Sequence, residues 1–242
     1  HLADRMTPPM WVEGGSATYP LGTDSFGRDI LSRTIFGARI SLGVAALTIA
    51  FGGGLGALLG ILAGYFGGVV DAVLMRIVDI LLAVPTILIA IAVAVAFGPS
   101  FRNLVIVISL LLWPKIARQI RGDALVVMKH DYMEYSGAIG VPAWRRMLRH
   151  ILPNVTPTLL VVLTLEVGRV ILLEAALSFL GAGVPPPQPS WGVIVADGQA
   201  LITSAWWIAL FPGLAIVLTV LGFNMFGDWL RDHLDPKLKG RR

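Results

Sequence analysis

The sequence predicts an all-α protein that crosses a lipid bilayer several times, and three observations carry that prediction. Of its 242 residues, 56% are hydrophobic and only 14% charged, with a mean hydropathy of +0.78. A soluble domain carries roughly 25% charged and about 45–50% apolar residues. Long stretches hold no charge at all: none from Ile40 to Val70, none from Gly198 to Gly227, and only Asp79 from Ile77 to Phe101. Roughly 18 such residues suffice for a helix to cross. Lys and Arg, finally, fall mostly on one side of the spans. The composition excludes disorder, coiled coil, collagen and small disulfide scaffolds. The chain has no Cys, which excludes thiolate metal centres, iron–sulfur clusters and a Cys nucleophile.

Residues 1–22 are rich in Pro and Gly and suit a loop. In Leu21-Gly-Thr-Asp-Ser-Phe-Gly-Arg-Asp29, Thr23 or Asp24 is placed to cap a helix start. Ile30, Leu31, Ile35 and Phe36 then form an apolar stripe opposite Arg28, Arg33 and Arg39, as in a helix lying on a membrane surface. Residues 1–39 are therefore expected as one segment, followed by spans at about 40–66, 76–97, 102–128, 154–180 and 205–228. In the first span Gly52, Gly56, Gly60 and Gly64 recur every four residues and make a small-residue stripe for close helix packing.

Residues 129–153 read differently. Lys129 to Ile139 suits a short helix, Gly140-Val-Pro142 breaks it, Pro142 opens a second helix, and Pro153 stops that one. Trp144, Met147, Leu148 and Ile151 share one face of the second helix, with Arg145, Arg146, Arg149 and His150 opposite. Such an element either rests on anionic lipid or docks a partner. In the loop 181–204, the Pro-rich stretch from Val184 to Gly192 is expected to be extended or turned. Trp191, Trp206 and Trp207 suit the membrane interface. Residues 229–242 form the tail.

Orientation follows from the cations. The side collecting 67–76, 115–150 and 228–242 holds thirteen Lys and Arg; the other side holds Arg5, Arg28, Arg33, Arg39 and Arg102. This predicts a cytoplasmic C-terminus and an extracytoplasmic residue 1, with one further span expected ahead of it. Residues 1–20 lack the apolar core of a signal peptide. With the charges located this way, the net +4 belongs to a lipid bilayer and not to nucleic acid.

Enzymatic chemistry has little to rest on. No Lys follows a Gly, so no Walker A lysine exists, and His1, His130, His150 and His233 all lie outside the spans. Neither a haem nor a zinc site is expected. Ionisable residues within spans are candidates for function: Glu166 and Arg169, three apart on one face, then Glu174, and Asp79 near a span end. Glu166, Arg169 and Glu174 suit either a bundle-facing ion pair or a polar substrate path, and Asp79 either a hydrated place near the interface or a functional one.

Four stretches together resemble the permease subunits of ATP-binding-cassette importers, and most nearly the second permease of peptide/nickel-type systems. They are Leu21 to Arg33 with Gly37-Ala-Arg-Ile-Ser41; Glu134-Tyr-Ser with Gly140 and His150-Ile-Leu-Pro-Asn154, similar to the importer EAA loop; Glu174-Ala-Ala-Leu-Ser-Phe-Leu-Gly181 through Pro189-Ser-Trp-Gly192; and Phe223 to Pro236. Tyr135 and Ser136 stand where that loop usually has two alanines.

The resemblance implies a type I ABC importer transmembrane fold and a non-catalytic permease. Its partners would be a second permease in a heterodimer, two cytoplasmic ATPases holding ATP and Mg, and an external binding protein, all at a bacterial plasma membrane. Residues 131–151 would be the coupling helix, with Glu134, Tyr135, Ser136, Gly140, Trp144, Arg145, Arg146, Arg149 and His150 facing the ATPase. The solute is not legible; peptide is the commonest in the family. Two alternatives stand beside it: an ion-coupled secondary transporter using Glu166, Arg169 and Asp79, and a structural membrane subunit. No internal repeat favours the first, and the charges within spans weigh against the second.

Overall fold

A computed structural model describes residues 4–185 and 187–234. All regular elements among these are helical, with one isolated bridge from Thr23 to Asp29. The helices are α1, Ile30–Phe66, with a wide π turn at Ile49–Gly53; α2, Gly68–Ala83; α3, Thr86–Phe97; and α4, Phe101–Met128. Next come α5, Asp131–Ala138; α6, which starts at Ala143–Arg146, widens at Met147–Ile151 and continues as Leu152–Phe179; α7, Trp191–Gln199; and α8, Trp207–Leu234. The chain divides into two compact units. The first takes the described residues up to 47, with 90–108 and 168–222; the second takes 48–89, 109–167 and those from 223 on.

Three helices among the described residues are long and apolar enough to cross a membrane: α1, α4 and α8. The α2–α3 pair would count as a fourth if taken as one span. The expected fifth, 154–180, falls on the 28-residue stretch Leu152–Phe179, which carries Glu166, Arg169 and Glu174.

The structure corrects several expectations. The helix begins at Ile30, and its cap is Asp29 rather than Thr23 or Asp24: Oδ2 of Asp29 accepts from Ser32 N at 2.9 Å and Ser32 Oγ at 2.5 Å. A turn through Gly27 (φ +74°) delays the start. No boundary falls at residue 39, because nothing between Gly37 and Val44 stops a helix. The connection at 67–76 is mostly helical. The straight span at 76–97 breaks between α2 and α3 with an 87° bend. Pro85 causes it: a residue before proline is driven out of the helical region, and Val84 is extended at φ −91°, ψ 134°.

Pro142 caps α6 instead of occupying its first turn. Pro153 does not end that helix. Proline removes a ladder hydrogen bond and crowds the preceding turn, but Met147–Ile151 is already a π turn, and Asn154 Nδ2 donates to the His150 carbonyl at 2.6 Å. The stretch from Pro189 gives way to helix α7, with Ser190 as N-cap, its hydroxyl accepting from Val193 N. The tail's Lys237, Lys239, Arg241 and Arg242 lie outside the described residues.

In the second unit, the glycine stripe meets α4. A Cβ on Gly56 would lie 2.7 Å from the Trp113 carbonyl oxygen; on Gly60, 2.6 Å from that of Ala117; on Gly64, 2.6 Å from the Ala124 Cβ. Only Gly permits this approach, so the four-residue repeat reads out as a helix pair packed backbone to backbone. In the first unit, the core is Ile30, Ile194, Ala205, Trp207 and Ile208, with Leu21, Leu201 and Phe211 packed against it.

Candidate functional site

The 131–151 element lies wholly in the second unit. Asp131 and Glu134 occupy the first turn of α5, where acidic side chains are favoured. Gly140, at φ +78°, reverses the chain into Pro142, a backbone state that costs a side-chain-bearing residue about 1–2 kcal/mol. The element keeps large side chains outside: Tyr135 is 70% exposed, Ile139 80%, Trp144 60% and Leu148 56%. Glu134, Arg145 and Arg149 are exposed among them.

Its inner side holds Met133, Ser136 and Ile151, all buried. Ser136 Oγ donates to the Met133 carbonyl at 2.8 Å, so it satisfies itself and occupies little more space than alanine. The departures at 135 and 136 thus put a large ring outside and a small residue inside.

Arg146 departs from the outward basic face. Its guanidinium lies 5.1 Å from the centre of the Tyr65 ring, and a Cβ on Gly137 would come within 2.9 Å of its Nη1. It ties the two short helices to α1. His150 is partly covered, its ring 5.8 Å from that of Tyr132, which also stands 5.4 Å from His130.

Above this element α4 carries a row of cations spaced three apart. Lys115 pairs with Glu166 of α6, Arg118 with Asp79 of α2, and Arg121 with Asp71 of α2 through two hydrogen bonds. The Glu166 side chain is 7% exposed and its Lys115 partner 42%. Asp79, at 58%, is hydrated as well as paired. Sequence reasoning missed Lys115, Arg118, Arg121 and Asp71 as partners. The i, i+3, i+6 spacing was the available signal, but pairing across helices is not legible from one helix. Arg169 is exposed and lies in the first unit.

Glu174 also lies in the first unit, fully buried, with Ser41 Oγ donating at 3.0 Å and Ser178 Oγ at 2.8 Å. In the predicted surface helix of the same unit Arg33 turns inward, while Arg28 and Arg39 stay exposed. Asp24, 1% exposed, accepts from the amides of Phe26 and Arg28 at 2.8 and 2.9 Å and from Arg28 Nε and Arg33 Nη1 at 2.6 Å each. Burial pushes its carboxyl up, but those two amides and the two guanidinium groups outweigh it and hold it below the usual carboxylate range. Arg33 also reaches Asp197 of α7 at 3.2 Å. Trp191 and Trp207, expected at an interface, are 4% and 5% exposed. Their indoles donate to the carbonyls of Thr34 and Thr23 at 2.8 and 3.0 Å. Trp206, at 37%, stays at the surface.

The family model for "binding-protein-dependent transport system inner membrane component" matches residues 56–240. The chain belongs to that family. It is 47% identical over 234 residues to the dipeptide transport system permease protein of Escherichia coli strain K12, covering 97% of this chain and 78% of that one. Against the di/tripeptide transport system permease protein of Pseudomonas aeruginosa it is 44% identical over 234 residues, 97% of this chain and 77% of that one. The probable D,D-dipeptide transport system permease protein of Escherichia coli strain K12 is 41% identical over 241 residues, 100% of this chain and 79% of that one.

Among solved structures, the fold matches an inward-facing MetNI methionine ABC transporter with a TM-score of 0.70 at 20% identity, over 85% of this chain and 98% of that one. An amino acid ABC transporter with histidines matches at 0.64 and 15%, over 84% and 94%. The chain is thus a non-catalytic permease subunit of a binding-protein-dependent importer, with the fold of ABC importer transmembrane subunits. The family assignment removes the support for an ion-coupled secondary transporter.

Proposed function

We propose that this permease imports small peptides and is driven through the 131–151 element. What supports this best is the exposed apolar cluster of Tyr135, Ile139, Trp144 and Leu148 around the Gly140 turn. Large apolar side chains left exposed within one short element mark an interaction site, and the exposed Glu134, Arg145 and Arg149 of the same element add the polar groups that docking surfaces carry. A cytoplasmic ATPase is the occupant. Ser136, Arg146 and His150 shape the knob from within, while the other residues of the set meet the partner. The relatives named for dipeptide and di/tripeptide transport support peptide as the solute.

In this proposal the complex holds a second, different permease, two ATPases carrying ATP and Mg, and an external binding protein. The C-terminus is cytoplasmic and residue 1 extracytoplasmic, as the distribution of Lys and Arg favours. Lys115 with Glu166, and Arg169, are the residues offered to the solute. Asp79 is given to Arg118 instead.

The test is Glu134→Lys with dipeptide uptake and membrane insertion measured side by side. Uptake falls by tenfold or more, the factor of about 1.4 kcal/mol of lost docking, while the amount inserted is unchanged. Uptake at the unmodified rate would overturn the assignment of the knob. In parallel, mild-detergent purification through a C-terminal tag brings down two ATPase chains and a second permease; a monodisperse protein alone would overturn the complex.

A further inference from the structure

Glu174 differs from every other ionisable residue in the long helices. It has no exposed surface, yet each carboxylate oxygen is met by a protein hydroxyl: Ser41 of α1 at Oε2, 3.0 Å, and Ser178 of α6 at Oε1, 2.8 Å. The Ser190 hydroxyl stands 3.4 Å from that of Ser178. Ser41 and Ser190 are fully buried, and both serve the start of α7. Ser41 Oγ accepts the Trp191 amide at 3.2 Å and Ser190 Oγ the Val193 amide at 3.3 Å. Two of the unpaired N–H groups that open any helix therefore lead to a single carboxylate, Trp191 through Ser41 and Val193 through Ser190 and Ser178. The backbone fits as tightly as the polar groups do, for a Cβ on Gly192 would lie 2.5 Å from the Ala175 Cα.

We propose that Glu174 is a positioning residue: it seats the start of α7 on α1 and α6 and does not meet the transported solute. Ionisable residues in apolar helices are by default candidates for a substrate path, but a path residue must be reachable, and this one is enclosed on every side. A helix of nine residues is too short to persist by its own hydrogen bonds, so its place depends on what holds its ends. One acceptor satisfies hydroxyls from α1 and α6, and through them the start of α7. Removing it strands buried donors in a low-dielectric site, where each unpaired group is costly.

Two measurements test this. The chain has no Cys, so Ser178→Cys, nearly isosteric, places a lone thiol in this chain beside the carboxylate. Treated in membrane vesicles with a charged methanethiosulfonate reagent, it stays unmodified with or without ATP; labelling in either condition overturns the proposal. In the complete importer, Glu174→Ala lowers Vmax by roughly tenfold, equivalent to about 1.4 kcal/mol, and leaves KM for a dipeptide unchanged. Glu174→Gln restores most of the rate, since its amide keeps an acceptor for one Ser and offers a donor to another. A Gln variant as slow as Ala, with KM raised, overturns it. Should Glu174→Ala fail to insert, Ser41→Ala removes one donor, keeps the carboxylate and carries the same KM criterion. The uptake arm rests on the importer proposal; the labelling arm does not, so unmodified protein without dipeptide uptake would sink that proposal and leave this one standing or falling on the thiol.

Discussion

Two helices begin with the same tripeptide pattern, Pro142-Ala-Trp144 and Pro189-Ser-Trp191, and treat the indole in opposite ways. Trp144 is 60% exposed and Trp191 4%. Around Trp191 the chain has cleared space: a Cβ on Gly37 would come within 3.2 Å of its Cδ1, and the Thr34 carbonyl takes its N–H. Trp144 belongs to an element in which Tyr135, Ile139 and Leu148 are exposed as well. Pro-x-Trp announces a helix start; what receives the ring is decided by residues far away in sequence. A chain that buries one indole and leaves another open, in a short element with three more exposed apolar side chains, offers a surface for something else to cover.

The sharpest way to break this contrast is to truncate both rings. Trp191→Ala removes a buried aromatic and its hydrogen bond, and is expected to cost about 3–5 kcal/mol of stability. Trp144→Ala should change stability by no more than about 0.5 kcal/mol, as exposed positions do, yet lower ATP-driven uptake strongly. Thermal unfolding in detergent, followed alongside uptake in vesicles, gives both numbers. Equal destabilisation by the two variants would mean that Trp144 is packed in the folded protein and that no docking surface is needed to account for it.

A second comparison uses the glycines at the two sites. Gly192→Val forces a side chain into the Ala175 backbone; overpacking of this kind costs about 1–3 kcal/mol. Gly140 has open space around its missing Cβ, but φ is +78°. Gly140→Ala is therefore limited to the conformational penalty, about 1–2 kcal/mol, felt as a change in the angle between α5 and α6. The expected outcome is a lower melting temperature for Gly192→Val with uptake falling in step, and for Gly140→Ala a smaller decrease with a disproportionate loss of coupling of ATP hydrolysis to uptake. A Gly140→Ala protein that transports normally would show that the turn's shape is dispensable.

What the sequence made legible follows the same line. Helices over 101–128, 152–179 and 207–234 announce themselves because an apolar run is a local property, and the glycine repeat at 52, 56, 60 and 64 needs only helical periodicity to be read as a packing face. The bend at Pro85 was also local, and Pro85 itself was the overlooked signal. Pro153 misleads in the other direction, since the π turn that accommodates it depends on neighbouring geometry. The pairings Lys115–Glu166 and Arg121–Asp71 and the inward turns of Arg33, Arg146 and Trp191 join residues about 50 to 160 positions apart or on different helices. No periodicity within one helix encodes them. In the 131–151 element the two short helices and the turn between them were legible, and the inward packing of Ser136 and Arg146 was not.

The smallest expected effect separates the same two regions by acid. Asp24 holds the 21–33 segment through two amides and two guanidinium groups, which keep its folded carboxyl below the usual carboxylate range. A carboxyl depressed on folding contributes stability that is fully present above its unfolded pKa and lost as the pH falls through the folded one. Nothing should change between pH 8 and about 5, where the carboxyl is ionised in both states. Below about pH 4 the contribution should disappear progressively. Asp24→Asn lacks the charge at every pH, so it should be less stable than the unmodified protein at pH 7 and converge on it in acid. Melting temperatures of the two proteins from pH 7 to pH 3 would show the gap closing. A constant gap would mean that the amide hydrogen bonds, which Asn can also accept through its carbonyl, are not what the charge strengthens. The 131–151 element has no buried carboxylate with such a set of partners, and Trp144→Ala should show no corresponding acid dependence in its stability difference.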